Sequence, residues 1–319
     1  MGKPTVLVTR RIPQAGLDLL ASHFTLDTNV DDRPYSPAEL ARHAADKDAL
    51  VTLLTDKVDD ALLAAAPGVK IVANVAVGYD NIDLEAARKR GVTVTNTPGV
   101  LTDATADFAF TLLLAAARRV AEADRFVRAG KFHGWQMMGF HGGDLNGRTL
   151  GIAGFGRIGQ AVAKRARGFG LHVIYSDEER VAPDIEAAFE ARYVDKATLL
   201  AQSDYLSLHV PYLPATHHYI GAAELAAMKR TAYLVNTARG PVIDEAALGH
   251  ALASGEIAGA GLDVFEDEPR VHADLMQLEN VVMAPHIASA TVETRTRMAL
   301  IAAENVIAAL SGKVPPNAL

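Results

Sequence analysis

Three ionisable residues stand just past apolar runs that read as buried strands: Arg239, Glu268 and His286. Arg239 closes the run 232–236 within TARG (237–240). Glu268 follows the run 258–264 and precedes Pro269. His286 follows the run 281–284 through Pro285. Ligands of open α/β sheets bind at the carboxyl ends of strands, where all three would lie. Each taken singly has an ordinary reading: a surface arginine on a turn, a solvated loop acid, a satisfied structural histidine. Taken together they suit carbonyl reduction. That chemistry needs a hydride donor, a cation to orient the acceptor, and an acid to protonate its oxygen.

The hydride donor has a visible place. Residues 149–177 read TLGIAGFGRIGQAVAKRARGFGLHVIYSD, with Gly154, Gly156 and Gly159 forming G-x-G-x-x-G. A small apolar strand precedes the glycines. A helical stretch, 158–169, follows with Ile158, Ala161, Val162, Ala166 and Phe169 on one face. A second strand, 172–175, leads to Asp177, eighteen residues after Gly159. The glycines allow a tight turn, backbone approach to a pyrophosphate, and close helix–strand packing, and the helix start offers free N–H groups. A lone G-x-G-x-x-G is weak; strand, helix, second strand and acid in register supply the context that it requires. Asp177 would hold the adenosine ribose hydroxyls, and its charge, with Glu178 and Glu179, disfavours a 2′-phosphate. NAD is therefore expected over NADP, with Arg180 the nearby charge that works against the preference.

The elements around these residues form a regular alternation. In the first hundred residues strands are expected at 5–9, 24–29, 49–54, 70–75 and 92–95, with helices at 14–23, from Ser36-Pro37-Ala38-Glu39 onward, at 59–66 and at 84–90. Alternating strands and helices point to parallel sheets. A long helix, 103–123, is apolar almost all round and reads as a bridge between domains. The segment 126–143 carries Phe132, Trp135, Met137, Met138 and Phe140 without a period. It is either a loop packed on its own domain or a subunit contact. Past Asp177, strands are expected at 205–210, 232–236, 258–264 and 281–284, with helices at 222–229 and 244–253. A final helix, 290–310, returns to the first domain.

Bulk properties agree. A chain of 319 residues fits two domains. Half of it is hydrophobic, and the net charge of −7 argues against nucleic acid as the main partner. The absence of cysteine excludes disulfides, thiolate nucleophiles and cysteine-ligated metals. The N-terminal residues read as a strand, not a signal peptide. The longest apolar run, 108–117, is too short to span a bilayer. A cytoplasmic location and no membrane partner are expected.

Six stretches occur in the order and spacing of one family: NVAVGYDNID (74–83), NTPGVLTDATADF (96–108), LGIAGFGRIGQAVA (150–163), LVNTARGPVIDE (234–245), GLDVFEDEP (261–269) and APHIASAT (284–291). The chain resembles the D-isomer-specific 2-hydroxyacid dehydrogenases from about residue 5 to 311. It is most similar to their glyoxylate/hydroxypyruvate reductase branch, through LLTDKVD (53–59), VLTDATADF and FVRAGKFHGW (126–135). Ala288 departs from the glycine of many relatives, and Met137 and Met138 from aromatic residues in some.

The resemblance implies an α/β fold of two Rossmann-type domains with parallel sheets and the active site in the cleft between them. Residues 1–100 with 288–319 would form the substrate domain, and 101–287 the dinucleotide-binding domain. Arg239 would pair with the substrate carboxylate and polarise the 2-keto oxygen, as a planar guanidinium does well. His286 would be the general acid, and Glu268 would keep it protonated near neutral pH. The N–H groups of Val77 and Gly78 would hold the carboxylate, with Leu53 flanking the substrate side chain. The cofactor would meet Gly154, Phe155, Gly156, Arg157, Ile158, Gly159 and Asp177. It would also meet Thr105, Val210, Pro211, Thr216, Thr237, Ala238 and Asp263. The expected reaction is NADH-preferring reduction of glyoxylate or hydroxypyruvate, without a metal, in a homodimer joined through the cofactor domain. NADP is possible. Alternatives are a dehydrogenase of another small acid, such as phosphoglycerate or phosphite, or a non-catalytic NAD-sensing protein.

Overall fold

The computed structural model describes residues 2–319; Met1, the first residue of the expected 1–100 segment, lies outside it. The chain divides into two compact units. One runs up to Leu101 and adds Ala290–Leu319; the other is Thr102–Ser289. These cuts fall one and two residues later than the expected 100 and 287.

In the first unit, strands β1 (Thr5–Val8), β2 (Thr25–Thr28), β3 (Ala49–Thr52), β4 (Ile71–Asn74) and β5 (Thr93–Thr95) pair in parallel in the order β2-β1-β3-β4-β5. That is the flavodoxin-like doubly wound order. Helices α1 (Gln14–His23), α2 (Pro37–Ala44), α3 (Asp60–Ala65) and α4 (Leu84–Lys89) alternate with the strands. Side chains of a strand alternate between faces, and the two cores follow that rule. Val6, Val8, Val51 and Ala73 pack with Leu20 of α1 and with Met298, Ala302 and Val306. Leu7, Leu50, Val72 and Val94 pack with Leu40 of α2, Leu62 of α3 and Ala87 of α4. The helix α2 starts as expected: the Ser36 side chain accepts from the Glu39 N–H, and the Glu39 side chain accepts from the Ser36 N–H.

The second unit opens on α5 (Thr102–Ala117) and α6 (Val120–Arg128). Strands β6 (Thr149–Ala153), β7 (His172–Ser176), β8 (Ala191–Tyr193), β9 (Tyr205–Leu208), β10 (Tyr233–Asn236), β11 (Gly259–Leu262) and β12 (Val281–Met283) form one parallel sheet. Their order is β12-β11-β10-β9-β6-β7-β8, the Rossmann order with one further strand. The chain crosses over at β6 and β9, which makes their carboxyl ends the switch point. Helix α7 (Arg157–Gly168) lies on the α5 side of the sheet. Helices α8 (Pro183–Phe189), α9 (Lys196–Gln202), α10 (Ala222–Ala226) and α11 (Glu245–Ser254) complete the unit. The strand β8 and the helices α8 and α9 were not expected; their short runs carry little periodicity. The last helix, α12 (Val292–Leu310), packs on α1 and β4 of the first unit.

The expected single helix 103–123 is corrected. It stops at Ala117, and Arg119 takes a left-handed conformation, φ 53°. The chain returning through Gly143 supplies the reason: its N–H donates to the Ala117 carbonyl at 2.9 Å, the partner that a continued helix would need. Arg119 turns to Glu122 at 2.7 Å and lies over the Phe140 ring at 5.3 Å. The helix α5 is a buried element of the second unit, packed on α7, β10 and β11. Among the described residues no helix is long and apolar enough to cross a membrane.

Candidate active site

The second unit brings Arg239, Glu268 and His286 onto consecutive strand ends. The turn after β10 is set by Asn236, whose amide donates to the Arg239 carbonyl at 2.9 Å and accepts from the Ala238 N–H at 3.0 Å. Gly240 follows. A Cβ there would stand 1.9 Å from the Phe265 carbonyl carbon and oxygen, so only glycine lets this turn press on the backbone leading to Glu268. Glu268 accepts from the Phe265 N–H at 3.0 Å through one oxygen. Its other oxygen lies 2.9 Å from His286 Nδ1. The Nε2 of His286 makes no hydrogen bond among the described residues.

His286 itself is left-handed, φ 54°, a conformation uncommon outside glycine. Asp263, fully buried at the end of β11, holds it there. The Asp263 carboxylate accepts from the N–H groups of Ile287 and Ala288, each at 2.7 Å, and its carbonyl accepts from the His286 N–H at 2.8 Å. Ala288 is not among the residues with positive φ, so an alanine fits this turn without backbone strain. Burial pushes the Asp263 carboxyl up, with the two N–H groups opposing. Burial also pushes Glu268 up, but the hydrogen bond and charge of His286, the Phe265 N–H and the Arg239 charge outweigh it and hold Glu268 below the ordinary value. A carboxylate facing the ring of a histidine with its far nitrogen free is an arrangement for holding and passing a proton.

The expected cofactor residues gather at the carboxyl edge of the same sheet, apart from Thr105, which is buried on α5. Gly154 turns at φ 88°, and a Cβ there would meet the His209 carbonyl carbon at 2.6 Å. A Cβ on Gly159 would meet the Gly154 oxygen at 2.2 Å, so α7 lies against the strand it leaves. A Cβ built on Gly156, the N-cap of α7, would meet nothing within 4 Å among the described residues beyond its chain neighbours. Turn, open cradle and close packing are the three requirements of a pyrophosphate loop, and these residues fit the group. Arg157 and Ile158 open α7. The Asp177 carboxylate accepts from the Phe155 N–H at 2.6 Å and the Glu178 N–H at 2.7 Å, tying β7 to the glycine turn. The Phe155 ring is buried against Tyr175. Thr237 Oγ1, after β10, is buried without a partner, a hydroxyl left for something the protein does not supply. By contrast, the Thr216 hydroxyl is engaged within the loop after β9, accepting from Leu213 N–H and donating to the Pro211 carbonyl. Val210 and Pro211 start that loop.

The sequence reading did not single out Asn236, or Asp263 as a brace for His286. An asparagine or aspartate at a buried strand end before a turn was the available signal. His209 was also passed over. Burial holds its ring neutral, down to about 3, and its Nε2 lies 2.8 Å from Ser207 Oγ.

His217, His218 and Glu266 bring three ligand-type atoms within 4.8 Å. The two rings stack at 4.0 Å and 20°, and imidazole lone pairs lie in the ring plane, so both cannot aim at one ion as they stand. In the first unit, Leu53 follows β3, and Val77 and Gly78 follow β4, its neighbour in the sheet.

The stretch 110–288 matches the model of the D-isomer specific 2-hydroxyacid dehydrogenase, NAD binding domain. The chain belongs to that family. A relative named glyoxylate reductase from Korarchaeum cryptofilum is 56% identical over 317 residues, 99% of this chain and 95% of its own. Another of that name from Thermococcus litoralis is 54% identical over 319 residues, covering 99% and 96%. Among solved structures, an NADPH-dependent glyoxylate/hydroxypyruvate reductase from Sinorhizobium meliloti, in complex with NADP and malonate, superposes with a TM-score of 0.88. It is 34% identical, and the match covers 100% of this chain and 97% of that one. This D-isomer-specific 2-hydroxyacid dehydrogenase is thus an enzyme that uses NAD or NADP, with its cofactor domain in the second unit.

Proposed function

We propose that this dehydrogenase reduces glyoxylate, and the related 2-keto acid hydroxypyruvate, with a preference for NADH. The observation that carries the reading is the Glu268–His286 pair at 2.9 Å, with no hydrogen bond at Nε2 among the described residues, in the segments after β11 and β12, where β11 neighbours β10, the strand that Arg239 follows. The names of the relatives supply the substrate class. When bound, the reduced nicotinamide supplies the hydride. In the second unit, His286 Nε2 would give the proton to the developing alkoxide while Glu268 and Asp263 hold the ring. Arg239 would orient a carboxylate and draw charge from the keto oxygen. In the first unit, the Val77 and Gly78 N–H groups are the proposed carboxylate donors, with Leu53 beside the small side chain. The direct test is NADH consumption with glyoxylate. A purified protein that leaves NADH unoxidised with glyoxylate and hydroxypyruvate sinks the reading.

The cofactor preference rests on Asp177. The cation that could offset it is occupied: Arg180 donates to Glu186 at 2.9 and 2.7 Å. These bonds, with that of Tyr175, hold Glu186 down to about 2, so it is ionised at working pH. The expected result is a higher kcat/KM with NADH than with NADPH, narrowed in Asp177→Ala. Equal or better use of NADPH by the unaltered enzyme rejects it.

Assembly as a homodimer through the second unit is part of the same proposal. Phe132, Trp135, Met137 and Met138 are 60%, 78%, 69% and 80% exposed, so the segment does not pack on its own unit in the way a covered loop does. Apolar exposure of this kind marks a contact surface. Light scattering at micromolar concentration is expected to give twice the chain mass, and Trp135→Glu a lighter species. A monomeric unaltered protein rejects the assignment.

A further inference from the structure

The first unit contains a loop whose successive peptide planes are each held by the carbonyl. After β4, the Ala76 carbonyl accepts from the Thr97 N–H at 2.8 Å. The Val77 carbonyl accepts from Asn96 Nδ2 at 2.8 Å. The Gly78 carbonyl accepts from Asn74 Nδ2 at 3.0 Å. A trans peptide directs its C=O and its N–H oppositely in one plane. The Thr97 bond therefore turns the Val77 N–H outward, and the Asn96 bond does the same for the Gly78 N–H. Neither N–H has an acceptor among the described residues. Gly78 has the widest backbone freedom in the loop, and the Asn74 bond at its carbonyl fixes the peptide that follows it.

The two asparagines are themselves fixed. Asn74 is fully buried and accepts from Thr52 Oγ1 at 3.0 Å, which sets which end of its amide faces the loop. Asn81 donates to the Leu53 and Asp56 carbonyls at 3.1 and 2.9 Å and lies 3.2 Å from Asn74 Nδ2. Asn96, also buried, has its carbonyl held by Asn305 of α12 at 3.4 Å. An uncharged network thus spans the ends of β3, β4 and β5. Buried polar side chains are costly unless satisfied; Asn74 and Asn96 donate to loop carbonyls, and the Asn96 bond thereby turns the Gly78 N–H outward.

We infer that Asn96 is a positioning residue that pre-orients the Gly78 N–H, beside the Val77 N–H set by the Thr97 bond, to receive the carboxylate of a 2-keto acid, and that Asn74 steadies the peptide that follows them. The inference rests on the proposed reading of the function and adds the residues that build its anion site. Their role is to remove, before binding, the freedom that the loop would lose on binding. They touch neither the keto carbon nor the cofactor.

Asn96→Leu and Asn74→Leu delete the donors without adding charge; Asn96→Ser is a milder second variant should the leucines lose the fold. The readouts are KM for glyoxylate, kcat, and fluorescence titrations of NADH and of oxamate on the NADH-loaded enzyme. The expected result is a rise in glyoxylate KM and oxamate Kd of about tenfold or more, as for loss of a hydrogen bond to a charged group. NADH affinity should stay where it is and kcat should change far less than KM. Folded variants with unaltered glyoxylate KM and oxamate affinity overturn the clamp, as does a parallel loss of NADH affinity. Oxamate binding that depends on Asn96 in a protein inert towards glyoxylate overturns the function and keeps the clamp. A protein that binds no oxamate and reduces no keto acid overturns both.

Discussion

Replacing His286 by alanine is expected to slow glyoxylate reduction by about 10²–10⁴, the usual worth of a positioned general acid, while NADH still binds. The geometry separates the two effects. His286 stands on the turn after β12, braced by Asp263 and Glu268, whereas the glycine turn lies between β6 and α7. With His286 as the proposed acid, reduction would need the charged ring, so kcat/KM should hold at lower pH and fall as pH rises. Oxidation of the hydroxy acid needs the neutral ring and should show the opposite trend. Glu268→Gln keeps the shape and removes the charge that faces the ring at 2.9 Å, and it should slow reduction while NADH still binds. Arg239→Ala should instead raise the keto-acid KM strongly and lower kcat too. Rate–pH profiles of the three variants check this. Near-normal reduction by His286→Ala, or by Glu268→Gln, would overturn the acid–base assignment.

The same pair links stability to pH. Glu268 sits below its ordinary value in the folded protein, so the unfolded chain takes up its proton first as pH falls. Its contribution is complete above the unfolded carboxyl value of about 4.3 and is lost as pH drops through the folded one.

Gly159→Ala is expected to cost cofactor affinity heavily without touching any proton-transfer group. The new Cβ would lie 2.2 Å from the Gly154 oxygen and 3.1 Å from Ile152 Cγ2. The first of these is backbone of the turn itself, so relief requires α7 to lift or the turn to open. Overpacking of this kind costs about 1–3 kcal/mol in stability. The NADH Kd should rise by about tenfold or more, since each 1.4 kcal/mol of lost cradle geometry is a factor of ten. Gly156→Ala adds a Cβ that would meet nothing within 4 Å among the described residues beyond its chain neighbours. It should therefore leave the melting temperature nearly unchanged and weaken NADH alone. Calorimetric NADH titration with thermal melts distinguishes the two. A Gly159→Ala protein with unaltered NADH affinity and melting temperature would falsify the packing role.

The glycine turn, the strand before it and Asp177 were legible in the sequence because they are local. An apolar run, three glycines at fixed spacing and an acid one strand later are dictated by backbone sterics within thirty residues. The strand ends carrying Arg239, Glu268 and His286 were legible for the same reason: each follows a short apolar run that can only be buried. Other features depend on residues distant in the chain. The helix expected over 103–123 ends at Ala117 because Gly143 arrives to take its carbonyl, and no periodicity within the helix encodes that arrival. Asp263 reads as one more polar residue after a strand; its carboxylate braces His286 because β11 and β12 pair and bring Ile287 and Ala288 to it. Asn96 reads as a turn residue, and only the pairing of β4 with β5 sets its amide against the Val77 carbonyl. The residue types that do chemistry are thus set by sequence motif. The orientation of the groups they act through is set by hydrogen bonds between segments that only the folded sheet brings together.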